Sequence, residues 1–401
     1  MPDAILALNA GSSSIKFALF EIGPGDGLAL ALAVKGEVEG VGGAPHFTAR
    51  DANGAELARH RWPEGQAPDS HDALLGWLMQ WVGSHLGGDV LAAVGHRIVH
   101  GGRAFTGPVR LTADVVAALD RLTPLAPLHQ PHSLAPVRSI MASQPDLPQV
   151  ACFDTAFHHT MPAVATRFAL PREYEDEGVR RYGFHGLSYE HIADRLRQTA
   201  PALAAGRVVV AHLGSGASLC AMLGGRSVDT TMSFTALDGL VMGTRCGSLD
   251  PGVVLYMLQQ KGLSAAAVER LLYRQSGLLG VSGISADMRV LAASADPRAR
   301  EAVELFAYRV ARETAALVGS LGGLDGFVFT AGIGEHAPEL RSAVCERLRW
   351  LGVRIDAAAN AGAAGTIGAP DSLVDVRVIP ADEEAMIARY TRAVLLAGQT
   401  R

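Results

Sequence analysis

Two short stretches of small residues hold the densest potential chemistry in this chain of 401 residues. In residues 6–17 an apolar run stops at Asn9, crosses Ala10, Gly11, Ser12, Ser13 and Ser14, and resumes with Ile15, Lys16 and Phe17. In residues 209–219 a second apolar run ends at His212 and Leu213, crosses Gly214, Ser215 and Gly216, and resumes with Ala217, Ser218 and Leu219. Glycine and serine leave backbone N–H groups uncovered, serine adds hydroxyls, and successive amides can form a concave nest, so such turns suit phosphate oxygens. Lys16 alternates with Ile15 and Phe17 and can place its ammonium beside the first turn. One Gly/Ser turn between strands can equally be a plain hairpin. Two of them, roughly two hundred residues apart in a chain about two domains long, point to a ligand.

Two arginines stand beside glycines where a strand or turn ends, in His96-Arg97-Ile98-Val99-His100-Gly101-Gly102 and in Gly243-Thr244-Arg245-Cys246-Gly247. Such settings let the backbone turn sharply and aim a long side chain into a cleft, although a lone arginine there can also simply solvate a loop. The 14 histidines include no H-E-x-x-H pattern, and Cys152, Cys220, Cys246 and Cys345 have no paired spacing. Neither a zinc site nor a disulfide framework is expected, and the cysteines read as buried, reduced thiols.

The elements that must position these residues are set by ordinary globular composition. With 49% hydrophobic and 19% charged residues the chain can bury large cores, and its length predicts two or three domains. A net charge of -5 and basic clusters as short as Arg180-Arg181 argue against nucleic acid. The start Met1-Pro2-Asp3-Ala4 lacks a basic leader, and apolar runs such as 28–34 are too short to span a bilayer, so no membrane partner and a cytoplasmic location are expected. Hydrophobic periodicity predicts strands over 4–8, 15–20, 29–38, 46–49 and 92–99, with helices over 70–85, 112–122 and 131–142. The second half repeats the theme, with strands over 207–213, 218–223, 326–330 and 374–379 and helices over 252–261, 264–275, 298–320, 338–350 and 382–396. A duplicated α/β unit is the economical reading.

Phosphate hairpins at the head of two similar halves resemble the actin, hexokinase and heat-shock chaperone ATPase superfamily, which implies two duplicated ribonuclease-H-like domains with a nucleotide cleft between them. A third run, Phe327 to Pro338 through Thr330-Ala331-Gly332-Ile333-Gly334-Glu335-His336, reads as strand, glycine turn and helix. It can be a mere β-α corner, but in this company it looks like a nucleoside clamp. Sugar kinases of the superfamily typically carry an aspartate base in the first hairpin, where this chain has Asn9. An amide cannot take a proton, so either the base lies elsewhere or the acceptor arrives as an anion. A carboxylate, with a pKa of about 4, fits the second option. Its obstacle is repulsion from the phosphate, which calls for fixed, planar cations such as Arg97 and Arg245.

The runs 6–17, 96–102, Pro124-Leu125-Ala126-Pro127-Leu128-His129-Gln130-Pro131, Phe153-Asp154-Thr155-Ala156-Phe157-His158, Tyr182-Gly183-Phe184-His185-Gly186, 243–245, Ser285-Ala286-Asp287-Met288-Arg289 and 332–335 together resemble the acetate kinase family, in order and over nearly the whole chain. Propionate kinases share most of these motifs. The resemblance implies Mg²⁺ (or Mn²⁺) associated with Asn9 and Glu383, and direct in-line exchange of the ATP γ-phosphoryl with acetate, giving acetyl phosphate and ADP. It implies nucleotide contacts from Lys16, from His212, Leu213, Gly214, Ser215 and Gly216, from Asp287, Met288 and Arg289, and from Gly332, Ile333, Gly334, Glu335 and His336. Arg97 corresponds to the receiver of the substrate carboxylate, and Arg245 and His185 to the groups gripping the phosphoryl in flight. His129 and Asp154 complete the catalytic set. Asp154 orients either an arginine or a metal-bound water, and His129 serves either chemistry or structure.

Val99, Leu128 and Phe184 are the expected walls of the acyl pocket, with Ala236 where many relatives have proline. Ser215 and His336 replace asparagines, Ser248 stands where an aspartate often follows the arginine loop, and Tyr189 where a histidine is common. The first lobe is expected over 1–153, completed by a C-terminal helix over 384–401, and the second over 154–383. Two lobes around a cleft imply hinges, expected at the chain crossings near 153–155 and 380–384, and the resemblance implies a homodimer through the second lobe. Propionate as substrate, and an ATP-binding module without acyl transfer, are the alternatives; the joint presence of Arg97, His185 and Arg245 disfavours the latter.

Overall fold

The computed structural model describes residues 3–11, 14–23, 29–41, 43–62, 68, 70–86, 90–362 and 365–399. Met1, Pro2, Leu28 and the Ser12 and Ser13 of the first turn lie outside the described residues. The chain divides into two compact units, Met1–Ala156 with Asp382–Arg401, and Phe157–Ala381. Asp154 and Glu383, assigned to the second lobe from sequence, therefore both fall in the first unit.

In the first unit β1 (Asp3–Ala10), β2 (Ser14–Ile22), β3 (Leu30–Glu39), β4 (His46–Asp51), β5 (Glu56–Arg61), β6 (Val90–Ile98), β7 (Val109–Arg110) and β8 (Gln149–Phe153) form one sheet in the order β5-β4-β3-β2-β1-β6-β8-β7. β1 runs antiparallel to β2 and parallel to β6, and β6 runs parallel to β8. From Ala4 to Leu8 β1 is buried on both faces, the signature of a strand covered by helices above and below. Leu6 and Leu8 pack with Leu74, Leu78 and Ile140, from the helices His71–Ser84 and Gln130–Ser143. The helix Glu383–Gln399 packs on β1, β6 and β8. It comes so close that a Cβ on Gly95 would lie 2.2 Å from Thr391 Oγ1 and 2.5 Å from Ile387 Cγ2.

The second unit repeats the arrangement. β9 (Arg207–Leu213), β10 (Ala217–Leu223), β11 (Arg226–Thr230), β12 (Gly326–Thr330), β13 (Gly365–Thr366) and β14 (Asp375–Val378) are ordered β11-β10-β9-β12-β14-β13. β9 is antiparallel to β10 and parallel to β12, and β12 is parallel to β14. The segment β3-β2-β1-β6-β8 thus matches β11-β10-β9-β12-β14 in order and direction, and the duplicated α/β fold read from the sequence is borne out. Tyr189, Ile192, Ala193 and Leu196 of the helix Gly186–Thr199 pack on Val208, Val210, Cys220 and Val328.

Some elements escaped the periodicity reading. β5 presents Glu56, Arg59 and Arg61 on an edge with no buried residue, so it lacks the apolar alternation of an inner strand. The helix Gly186–Thr199 is a further element beyond those expected, with buried apolar residues at positions 189, 192, 193 and 196. The glycine turn after β12 is itself a short helix, Ala331–His336. Cys152, Cys220 and Cys345 are buried free thiols as expected, whereas Cys246 is only half-buried. Among the described residues no helix is long and apolar enough to cross a membrane.

Candidate active site

In the first unit the parallel strands deliver their chemistry at their carboxyl ends, where open α/β sheets bind ligands. Asn9 is the penultimate residue of β1, Arg97 that of β6, and Asp154 follows directly on β8. Parallel register aligns Leu8 with His96 and Ile98 with Phe153, which brings the three ends together. Arg97 Nε donates to Asp154 Oδ1 and Oδ2 at 2.9 and 3.1 Å, and its Nη2 donates to Oδ2 at 2.5 Å. Arg97 Nη1 donates to Asn9 Oδ1 at 3.0 Å, and Asn9 Nδ2 donates to Glu383 Oε2 at 3.1 Å. Asp154 is buried while the Arg97 side chain keeps 20% of its surface exposed.

Electrostatics in this cluster follow from burial. Glu383 is raised to about 7, chiefly by loss of water, with Asp154 and Glu384 adding to the rise and Arg97 and Lys16 opposing it. Burial disfavours the Arg97 charge, but Asp154 and Glu383 more than offset this and hold its pKa raised. Lys16 faces Asn9 across the β1–β2 pairing and is exposed. The expected Asn9 and Glu383 pair fits a hard cation such as Mg²⁺, because it offers an amide oxygen and a desolvated carboxylate. Among the described residues no group of three or more His, Cys, Asp or Glu could hold a metal ion, so such a cation would need phosphate and water to complete its shell.

In the second unit the anion-suited turn sits between β9 and β10, where Gly214 N donates to Gly216 O at 3.0 Å. A Cβ at position 216 would lie 2.9 Å from Arg245 Nη2 and 3.4 Å from His185 Nε2, so a larger residue there would displace the arginine head. Arg245 and His185 therefore flank the turn. Arg245 Nη1 is tied to Ala236 O at 2.6 Å, and Gly243 N donates to Ser215 O at 3.1 Å, which joins the arginine loop to the hairpin. His185 stacks on His212 with ring centroids 4.1 Å apart and 16° between planes. Thr330 aligns with His212 across β12 and β9, and a Cβ on Gly214 would meet Ala331 Cβ at 3.9 Å, so the third glycine run adjoins the second hairpin.

Among the described residues only His185 (φ 58°) and Ala331 (φ 64°) are non-glycines with positive φ. Each costs on the order of 1–3 kcal/mol and persists where surroundings over-determine it, commonly at functional sites. Buried His158 supports the first, with Nε2 2.9 Å from Phe184 O and Nδ1 2.8 Å from Ser227 Oγ. A fully buried Arg341 supports the second, donating from Nη1 to Gly334 O and Glu335 O at 2.9 and 2.7 Å.

The contacts thus join Asn9, Arg97, Asp154 and Glu383 in one unit, and Gly214, Ser215, Gly216, His185, His212 and Arg245 in the other. Other expected residues stand apart from these hydrogen-bonded clusters in the fold. His129 opens the helix Gln130–Ser143 without capping it through its side chain. Asp287 caps the helix Met288–Ala292 and pairs with a largely exposed Arg289. Val99 and Phe184 are buried, and Leu128 is half-buried. Sequence reasoning missed Ser218 and Tyr189: Ser218 Oγ lies 2.9 Å from His185 Nδ1 and 2.5 Å from Tyr189 Oη. Their signals were present, since Tyr189 is one helical turn beyond His185 and Ser218 follows Gly216 by two.

The chain is 57% identical over 393 residues to the acetate kinase of Rhodopseudomonas palustris, covering 97% of this chain and 98% of that one. Its fold superposes on the propionate kinase of Francisella tularensis with a TM-score of 0.89 and on the acetate kinase of Porphyromonas gingivalis with a TM-score of 0.84. Each is 36% identical and covers 98% of this chain and 100% of the other. Residues 4–389 match the model of the family described as the Acetokinase family, and with those relatives over nearly its full length the chain belongs to that family.

Proposed function

We propose that Arg97 receives acetate, and that Arg245 and His185 hold the phosphoryl group passing between it and ATP. As a member of its family the chain is a phosphotransferase with a carboxyl group as acceptor, an acetate kinase in activity. The observation that carries the residue roles is the state of Asn9. Its side chain, at the position where a sugar kinase needs a base, is bonded to Arg97 and Glu383 and has no basic atom. A carboxylate acceptor needs none, because one of its oxygens attacks the γ-phosphorus directly while the bridging O–P bond breaks and ADP leaves with the electron pair.

Asp154 fixes the plane of the Arg97 guanidinium, so its charge meets the acceptor in one orientation. Arg245, anchored by Ala236 O, and His185 supply donors at the glycine turn where negative charge shifts in a loose transition state. Gly214 to Gly216 and the turn after β12 supply the nucleotide site, with Lys16, Asp287 and Arg289 contributing further contacts. Asn9 and Glu383 would hold Mg²⁺, which when bound neutralises phosphate charge. A homodimer is supported by the helix Pro251–Gln259, an apolar segment with no buried residue in which Leu255 and Tyr256 are half exposed.

Trapping acetyl phosphate as its hydroxamate from acetate, ATP and Mg²⁺ tests this function, and absence of product would leave only nucleotide binding. The likeness to a solved propionate kinase favours one second reading, in which the longer acid is the better substrate. One methylene is worth about 1–3 kcal/mol in an apolar pocket. Comparing kcat/KM for the two acids decides between them, with acetate expected to be preferred.

A further inference from the structure

The hydrogen bonds around His185 form a chain with a direction. Tyr189 Oη and Ser218 Oγ are both fully buried and 2.5 Å apart, and Ser218 Oγ lies 2.9 Å from His185 Nδ1. Among the described residues Ser218 Oγ is the one hydrogen-bond partner of Tyr189 Oη, and its own remaining bond is to His185. A phenol and a serine each own one O–H. If Ser218 donated to Tyr189, the buried Tyr189 proton would have no acceptor, which is costly in a dry core. The arrangement that satisfies every group has Tyr189 donating to Ser218 and Ser218 donating to His185 Nδ1. The imidazole proton then sits on Nε2, the nitrogen that flanks Gly216 beside Arg245 Nη2.

We propose that Tyr189 and Ser218 are positioning residues that lock His185 as its Nε2–H tautomer, so that the ring presents a donor to the phosphoryl group. This rests on the role given to His185 above and adds what sets it. Burial keeps the Tyr189 phenol protonated far above its ordinary range, so its O–H is a permanent donor. The pairing of Ser188 Oγ with His212 Nδ1 at 2.9 Å admits the same direction for the ring stacked beneath. His185 is further fixed by its left-handed backbone and by the stack on His212, so the hydroxyl chain has to choose the tautomer and not the ring's place.

The test is nitrogen NMR of ¹⁵N-histidine-labelled protein at about pH 8, above the ordinary histidine pKa, with the His185 signal assigned by its loss in His185→Gln. The expected result is a protonated Nε2 and a bare Nδ1 in the wild type, and a mixture of tautomers in Tyr189→Phe. In the same Tyr189→Phe protein kcat should fall roughly tenfold to a hundredfold, the range seen when outer partners of a functional histidine are removed, with nucleotide KM changed less than about twofold. Ser218→Ala should behave alike. A protonated Nδ1 in the wild type, or a Tyr189→Phe protein with unchanged tautomer and kcat, overturns the proposal. The wild-type spectrum needs no variant to fold. If wild-type protein makes no hydroxamate while the spectrum stands as expected, it is the role of His185 in phosphoryl transfer that fails, not the hydroxyl chain.

Discussion

Arg97 and Asp154 are joined edge to edge, with the arginine Nε and Nη2 both on the carboxylate and Nη1 left for Asn9. An arginine so held spends its fork on protein and offers a substrate the outer side of a guanidinium whose plane is already set. Replacing Asp154 by Asn keeps the shape and removes the charge. We expect kcat/KM for acetate to fall by about 100-fold or more, equivalent to roughly 3 kcal/mol, with nucleotide affinity retained. Hydroxamate kinetics beside nucleotide titration measure both quantities, and an unaltered acetate dependence would remove Asp154 from orienting Arg97.

Arg245→Ala should separate binding from turnover in the other unit. The side chain lies against Gly216 and its Nη1 donates to Ala236 O, so the variant removes a cationic donor beside the turn. Turnover should drop by roughly 3 to 5 kcal/mol in transition-state stabilisation, while nucleotide binding persists. Near-normal kcat in this variant would exclude the assigned role.

Gly95→Ala tests whether the helix Glu383–Gln399 holds Glu383 in place. The new Cβ would meet Thr391 Oγ1 at 2.2 Å, Ile387 Cγ2 at 2.5 Å and Ile387 O at 3.2 Å, so helix and sheet must separate. Overpacking of this kind costs about 1–3 kcal/mol. Urea unfolding should show that loss, and the folded variant should make less hydroxamate because Glu383 moves away from Asn9. Full activity in a destabilised variant would show that the first turn of the helix is positioned independently.

Stability should fall steeply on mild acidification. Burial lowers His96, His100 and His158 to about 4 each, from an ordinary 6.5. Between these limits the unfolded chain binds the extra protons, so each histidine contributes stability that is present above pH 6.5 and is lost towards pH 4, by about 1.4 kcal/mol per pH unit. Glu383, raised to about 7, acts oppositely: its contribution is full below its ordinary 4.5 and is lost as pH rises towards 7. Three groups against one leave a net loss of roughly 2 to 3 kcal/mol per pH unit as pH falls from 6.5 to 4.5. Urea midpoints measured across that window should drop accordingly; a flat profile would show that these histidines are hydrated.

Much of the site was legible because phosphate and carboxylate chemistry leaves local marks. Gly214 to Gly216 and Arg245 stand in short glycine-bordered runs whose backbone demands can be read without a fold. Asp154 kept two readings in the sequence, and its bonds to Arg97 favour the arginine. The partners of His185 carry only faint marks: Tyr189 lies one helical turn on, while Ser218 is a neutral, ordinary residue 33 positions away in sequence. β5 was illegible for a different reason: an edge strand with charged faces carries no apolar period.

Asn9 and Glu383 touch across 374 positions of chain. On the ribosome, where domains form as they emerge, the strands bearing Asn9, Arg97 and Asp154 appear early and must wait for the helix Glu383–Gln399, while the residues of Phe157–Ala381 are all translated before it. A nascent chain that stalls short of that helix holds Asn9, Arg97 and Asp154 but not the carboxylate that Asn9 contacts, so the order of translation makes this cluster the late-completed part of the molecule.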